Sequence, residues 1–309
     1  MFSRRCLLAI LACGLWMFAT AVRADGQGAC AKEADTKTWQ RASLEGVELE
    51  YRTVGTGEPV VLVHAGVFAD WFEPLLKEPS LSRHYCLVTY HRVGYAGSSH
   101  VAGAVSIAQQ AAHVRALMQL LGIDRAHLVG HSSGANIIMQ LALDAPQKVR
   151  SLALLESALP LPAGTPGRAG IPQAMGLYRA GDKAGAVDTF MRAVAGPGYR
   201  AVADRVLPGA FDQAVADADT FFGQELPAIQ QWVFGPAEGA RIKQPVLLVM
   251  GGRSHEVSPV WQQRQDLLTA WMGNTEPFVL DGATHMLHLE NARGLAERLG
   301  AFFAKPPSK

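Results

Sequence analysis

Charge is scarce in this chain and almost balanced. Asp, Glu, Lys and Arg make up 18% of its 309 residues, and the formal net charge is +1. That excludes the basic or acidic footprint expected of a partner for nucleic acid or an acidic polymer. Cysteine is scarce too, with four in all, which excludes a fold held by a disulfide framework. No segment repeats and no tract is of low complexity, so a solenoid is excluded. With 49% hydrophobic residues, the chain has ample length and apolar content for one large core plus an insertion, or two domains.

The first two dozen residues stand apart. Arg4 and Arg5 precede an apolar run from Cys6 to about Val22, which ends at Val22-Arg23-Ala24. Small residues fall where a signal peptidase reads, so the pattern predicts a secretory signal cleaved after Ala24. Ser3-Arg4-Arg5-Cys6-Leu7-Leu8 also resembles a twin-arginine signal. An uncleaved membrane anchor is the alternative, but the run is short for a span. A lipoprotein signal at Cys13 is disfavoured because the apolar run continues past it. Cleavage removes three arginines and no acid, taking the charge from +1 to −2. The expectation is a periplasmic or secreted protein with no stable membrane insertion after cleavage. Cys30 and Cys86 remain, and two readings stand: a disulfide, or two free apolar cysteines, since Cys86 falls in a strand-like run.

Beyond a polar leader, strand-like and helix-like segments alternate. Residues 47–55, 58–66, 84–92, 126–131 and 149–157 read as strands. Residues 106–122 and 133–146 read as helices, the second ending at Pro146. The apolar strands do not alternate, as expected when helices cover both faces of a parallel sheet. Between Pro160 and Gln244 no convincing strand occurs, only a Pro/Gly-rich exit and three or four helix-like pieces. Alternation resumes with strands at 245–252 and 275–285 and a helix at 291–304. The expected fold is therefore α/β, a mostly parallel sheet flanked by helices. Its core comprises 25–159 and 245–309, with a helical insertion at 160–244.

The chemistry centres on Gly130-His131-Ser132-Ser133-Gly134, a Gly-x-Ser-x-Gly motif between a predicted strand and a predicted helix. Such a turn lifts Ser132 Oγ to the strand's C-terminal end and leaves helix N–H groups beneath it. At this point the chain resembles the α/β-hydrolase fold superfamily, over nearly all of 45–305. Val61-Leu62-Val63-His64-Ala65-Gly66-Val67 is similar to the superfamily's His-Gly oxyanion loop, with Ala65 in place of the usual glycine. Tyr90 to Ser99 is similar to its Asp-x-Arg-Gly-x-Gly-x-Ser segment, with His91 in place of the acid. The 160–244 helices resemble its cap.

The resemblance implies a serine nucleophile, Ser132, and a histidine base. His285 is the candidate, in the small-residue turn Asp281-Gly282-Ala283-Thr284-His285 after the last strand. His288 is expected to begin packing of the final helix, and His64, His91 and His131 to be loop or wall residues. Oxyanion donors are expected at the N–H of Ser133 and of Gly66, with Val67 as the alternative.

The acid is a problem. The superfamily's usual place for it follows the 245–250 strand, where this chain has Gly251-Gly252-Arg253-Ser254. A serine cannot hold an imidazolium by charge. Two carboxylates remain in contention: Glu156, closing the apolar strand Leu152–Leu155, and Glu256, two residues past Ser254. Glu156 is preferred, because a carboxylate ending an apolar strand needs a partner. Strand C-terminal ends are also where open α/β sheets build sites. Asp281 lies too close to His285 in sequence.

The expectation is thus a serine hydrolase with catalytic Ser132, His285 and Glu156 and an oxyanion hole at Gly66 and Ser133. No metal or organic cofactor is required, and the partner is a small-molecule substrate, a small to medium ester. Carbon–carbon bond hydrolysis, cofactor-free perhydrolysis and non-enzymatic ligand binding on the same fold are the alternatives. The oligomeric state is left open.

Overall fold

The computed structural model describes Cys30, residues 38–162 and residues 170–305. The predicted signal sequence, 1–24, lies outside the described residues. Eight strands form one sheet: β1 (Gln40–Leu44), β2 (Val47–Val54), β3 (Glu58–Val63), β4 (Tyr85–Tyr90), β5 (Ala126–His131), β6 (Val149–Leu155), β7 (Val246–Gly251) and β8 (Thr275–Leu280). Their order is β1-β2-β4-β3-β5-β6-β7-β8. β1 and β2 pair antiparallel, as do β2 and β4, and every other pairing is parallel.

The non-alternating strands have the expected cause. Every residue of β4, β5 and β7 is buried. Successive side chains of β3 enter two different cores, Val61 and Val63 on one face and Val60 and Leu62 on the other. The helices Ile107–Leu120 and Ser133–Asp144 pack on the first face. The first of these starts with a reciprocal Ser106/Gln109 capping box. Helix Ala292–Phe303 covers the second face with Leu295, Leu299 and Phe303.

β1 was not expected from the sequence. Its pattern QRASL carries little apolar signal, because it is an edge strand paired on one side only and largely exposed. The disulfide reading is the one realised: Cys30 is bonded to Cys86 of β4, closing a separation of 56 residues. In the chain-entropy account such a loop is worth about 4 kcal/mol.

Between β6 and β7 no described residue is in a strand. Helices run at Gly170–Arg179, Lys183–Ala195, Tyr199–Val206, Ala210–Ala216 and Leu226–Gln231, with a π-helical turn at Asp219–Glu225. This segment lies over the strand ends. Phe221 sits against Gly66 and Thr220 against Gly94, so close that a Cβ at either glycine would collide. A buried ion pair ties it down further: Arg92 Nη2 donates to Glu225 Oε1 at 2.9 Å, and the Tyr95 hydroxyl also donates to Glu225. The other Arg92 amino group donates to Gln110 at 2.6 Å. Removing either partner of a buried pair strands a charge, so this contact locks the helices between β6 and β7 to the core.

Candidate active site

Among the described residues only five non-glycine positions have positive φ. Three of them are Val67 (72°), Ser132 (53°) and Glu156 (43°). They follow β3, β5 and β6, neighbouring strands of the sheet. Left-handed backbone costs a side-chain-bearing residue energy, most of all a β-branched one such as Val67. It persists only where the surroundings enforce it. The strain is thus collected at one edge of the molecule, the C-terminal ends of the central parallel strands.

The glycines of the Gly-x-Ser-x-Gly motif explain how the turn is made. A Cβ at Gly130 would meet the carbonyl of Gly134 and the amide of Ala135. A Cβ at Gly134 would strike the backbone of Val63 and His64. The helix can therefore start directly on top of β5 and β3. Ser132 takes the N-cap position of that helix, yet its side chain makes no capping bond. Its backbone is held instead, by Ser132 N–H to the Leu155 carbonyl at 2.9 Å and Ala158 N–H to the Ser132 carbonyl at 3.0 Å.

Glu156 and His285 come together. His285 Nδ1 donates to Glu156 Oε2 at 2.7 Å, and Gly251 N–H donates to Glu156 Oε1 at 2.7 Å. Both side chains are buried. Burial pushes the Glu156 carboxyl up to about 7, against the Gly251 amide, the Ser254 hydroxyl and the charge of Arg264. The Ser254 hydroxyl acts by proximity, since it lacks strict hydrogen-bond geometry to any partner. Burial pushes His285 down to about 3, with Arg264 acting in the same direction. The bond between the two opposes both shifts by favouring the charged pair. At neutral pH His285 is an uncharged imidazole with one nitrogen spent on Glu156.

The rest of the loop system holds this histidine still. Thr284 bonds Glu290 through its N–H at 2.6 Å and its hydroxyl at 2.8 Å. His131 Nε2 donates to the His285 carbonyl at 3.1 Å. The Trp261 ring stacks on His285, with centroids 4.0 Å apart and planes 14° apart. The Arg264 guanidinium stands 5.0 Å from the Trp261 centroid. Neither Trp261 nor Arg264 announces itself in the sequence. They sit one turn apart on helix Val260–Trp271, and only their facing β7 and the His285 loop gives them meaning.

Glu256 lies elsewhere. It is exposed and paired with Arg253 at 2.9 Å, which holds its carboxyl below the ordinary range. Ser254, at the superfamily's usual acid position, is wholly buried beside Glu156. His64 and His131 are interior residues rather than walls: burial holds both well below the ordinary histidine range. His288 is buried as expected and stacks on Phe72 at 4.8 Å.

Ser132, Ser133, Gly66, Val67 and His285 all line one cavity of about 590 Å³, within the size range of small-molecule sites. The Gly66 carbonyl is turned away by bonds from Phe68 N–H at 3.0 Å and Trp71 Nε1 at 2.8 Å. Helices between β6 and β7 supply much of the remaining wall, including Met175, Phe190, Met191 and Phe221.

Residues 58–191, which hold this turn and the central parallel strands, match the family described as alpha/beta hydrolase fold. The chain has the α/β-hydrolase fold. Its fold is shared with the enol-lactonase from Burkholderia xenovorans LB400, at TM-score 0.73 and 20% identity, covering 86% of this chain and 100% of that one. In sequence it is similar to the dihydrolipoyllysine-residue acetyltransferase component of the acetoin cleaving system of Cupriavidus necator, 35% identical over 124 residues. It is also similar to the 2-hydroxy-6-oxo-2,4-heptadienoate hydrolase of Pseudomonas putida, 34% identical over 116 residues. These matches take in 40% and 36% of this chain and span 33% and 41% of the two relatives' own lengths. Within this fold, the departure from the resemblance lies in the acid: Glu156 after β6 bonds His285, while Ser254 occupies the place after β7.

Proposed function

We propose that this α/β-hydrolase is a serine hydrolase that cleaves a small to medium carboxylic ester through an acyl-enzyme on Ser132. One observation carries the reading. A strained, uncapped serine and a buried histidine, bonded on its far side to a carboxylate, face the same apolar cavity.

Ser132 Oγ attacks the acyl carbonyl while His285 Nε2 takes the hydroxyl proton. The imidazolium that forms is held by Glu156, whose carboxylate accepts from Nδ1–H. The carbonyl electron pair moves onto oxygen, where the N–H groups of Ser133 and Gly66 receive it. Collapse of the tetrahedral adduct expels the alkoxide, which takes the proton from His285. Water then repeats the sequence on the acyl-enzyme and restores Ser132. The depressed proton affinity of His285 keeps it unprotonated and ready as a base at neutral pH. The helices between β6 and β7 act as a cap that sets the shape of the acyl pocket. The Cys30–Cys86 bond supports an oxidising location, periplasmic or secreted, in keeping with the N-terminal signal pattern.

The test is labelling by a fluorophosphonate together with turnover of 4-nitrophenyl butyrate. Wild type should label at Ser132. Ser132→Ala and His285→Ala should each lower kcat on the order of 10³-fold or more. Absence of labelling in the wild type would instead favour a ligand-binding protein on this fold.

A further inference from the structure

The two oxyanion donors of the proposed mechanism sit on different loops, and neither loop is held by its own residues alone. Gly66 follows β3. Its N–H belongs to the peptide group whose carbonyl is that of Ala65, and a peptide group is planar, so fixing one direction fixes the other. The His64 ring fixes it. Arg92 N–H can only donate, so His64 Nε2 accepts that bond at 2.9 Å, and a neutral ring then carries its proton on Nδ1. Nδ1–H donates to the Ala65 carbonyl at 2.6 Å. Burial and the charge of Arg92 hold His64 well below the ordinary histidine range, which keeps the ring in this neutral form.

The second donor, Ser133 N–H, opens helix Ser133–Asp144. The Ser133 hydroxyl accepts from Arg92 Nη2 at 3.4 Å. One residue therefore reaches both donors, Gly66 through its backbone and His64, Ser133 through its guanidinium. Arg92 is 1% exposed, and a charge at that depth needs a partner. The partner comes from the segment between β6 and β7: the same Nη2 donates to Glu225 Oε1 at 2.9 Å and to Oε2 at 3.1 Å. Glu225 ends the π-helical turn Asp219–Glu225, a rare arrangement found often at functional sites. The turn also touches Gly66 directly. The Phe221 ring fills the space a Cβ there would take, and Glu225 Oε1 lies 3.3 Å from that position.

We propose that Glu225 is a positioning residue for the oxyanion hole: seated on Arg92, it holds the Gly66 and Ser133 amides in their working directions. The cap turn then completes the site as well as covering it. The described lining of the cavity does not include Glu225, which acts through Arg92. The kinetic test of this inference rests on the serine-hydrolase reading, and the exchange test does not.

Glu225→Gln keeps the shape of the side chain and removes its charge. With 4-nitrophenyl butyrate it should lower kcat on the order of 30-fold, with KM within about threefold. Affinity for 1,1,1-trifluoropentan-2-one, a ketone that Ser132 converts into a tetrahedral oxyanion, should fall by a similar factor. Active sites counted by end-point fluorophosphonate labelling correct kcat for any unfolded fraction, so loss of folded protein alone would move neither constant. The Arg92→Gln/Glu225→Gln double variant strands no charge. It should stay as slow as Glu225→Gln, and recovery to within about threefold of wild type would overturn the assignment. Gln224→Ala removes a different bond between the same turn and the core, Gln224 Nε2 to the Val101 carbonyl at 2.9 Å, and should leave kcat within about threefold. Equal loss in Gln224→Ala and Glu225→Gln would mean that any loosening of the cap slows turnover, and would overturn the role given to Glu225.

Hydrogen exchange in the Ser132→Ala background reads the coupling without turnover. Glu225→Gln should speed exchange across residues 62–70 about tenfold, and Gln224→Ala should not. Unchanged exchange there would overturn the inference even where wild type labels and turns over. Faster exchange there, beside a wild type that neither labels nor turns over, would uphold the coupling while sinking the hydrolase reading.

Discussion

Two loops of this chain lack an acid that their motifs call for, and each borrows a carboxylate from a neighbouring strand. After β4, His91 stands at the acid position, and Glu50 of β2 serves it: His91 Nδ1 meets Glu50 at 3.0 Å and Gly97 N–H donates to the same carboxylate at 3.0 Å. After β7, Ser254 stands at the acid position, and Glu156 at the end of β6 takes the His285 bond. The geometry of borrowing is the same, because β2 adjoins β4 and β6 adjoins β7. The environments differ. Burial pushes Glu50 up, but the bonds from His91 and Arg41 outweigh it and leave the carboxyl below its ordinary range. Burial dominates at Glu156 and leaves it near 7. The well-paired carboxylate near the surface is structural. The buried one, on a left-handed backbone and against a histidine that lines a cavity, has the marks of a working group.

The largest expected effect tests that division directly. Glu156→Gln should lower kcat on the order of 10³-fold or more. Glu50→Gln and Glu256→Gln should leave kcat within about threefold, since neither touches His285. Equal damage from Glu256→Gln and Glu156→Gln in a steady-state assay would break the comparison.

A smaller effect would sharpen it. Because Ser254 is buried beside Glu156, an aspartate there should reach the histidine from the strand the superfamily normally uses. In the Glu156→Gln background, Ser254→Asp should recover roughly tenfold in kcat, about 1.4 kcal/mol of barrier. No recovery in a correctly folded double variant would mean that the β7 loop cannot deliver an acid.

The smallest effect is in stability against pH, and the two carboxylates should act with opposite sign. Glu156 is raised from 4.5 to about 7 in the fold, so the stability it contributes is full below pH 4.5 and is lost as pH rises toward 7. Glu50 is lowered, so its contribution is present above pH 4.5 and is lost as pH falls through the folded value. Relative to wild type, Tm of Glu156→Gln should therefore improve between pH 4.5 and 7, while the deficit of Glu50→Gln should shrink below pH 4.5. Differential scanning fluorimetry across this range reads both.

Much of this could be read in advance for a local reason. A run such as Ala126–His131, followed by glycines flanking a serine and then by helical spacing, encodes its own turn. The runs at β3, β5, β6 and β7 are legible because burial on both faces leaves them mostly apolar, with few polar positions such as Arg150 and Ser151 of β6. The edge strand β1 is not, because an exposed strand carries no such pattern. The π-helical turn that sets Phe221 and Glu225 over the core was missed as well, since it depends on what it packs against.

The sequence by itself therefore determined the strand–turn–helix around Ser132, the alternation that makes a parallel sheet, the helical interruption between β6 and β7, and the short choice between two acids. Those features live in neighbouring residues. Only the tertiary structure decided that Glu156 rather than Glu256 meets His285, that Glu50 stands in at His91, and that Trp261 and Arg264 flank the histidine. Each of these joins residues on different strands or helices. Their meeting is set by strand order, register and the depth of burial, which no stretch of sequence contains.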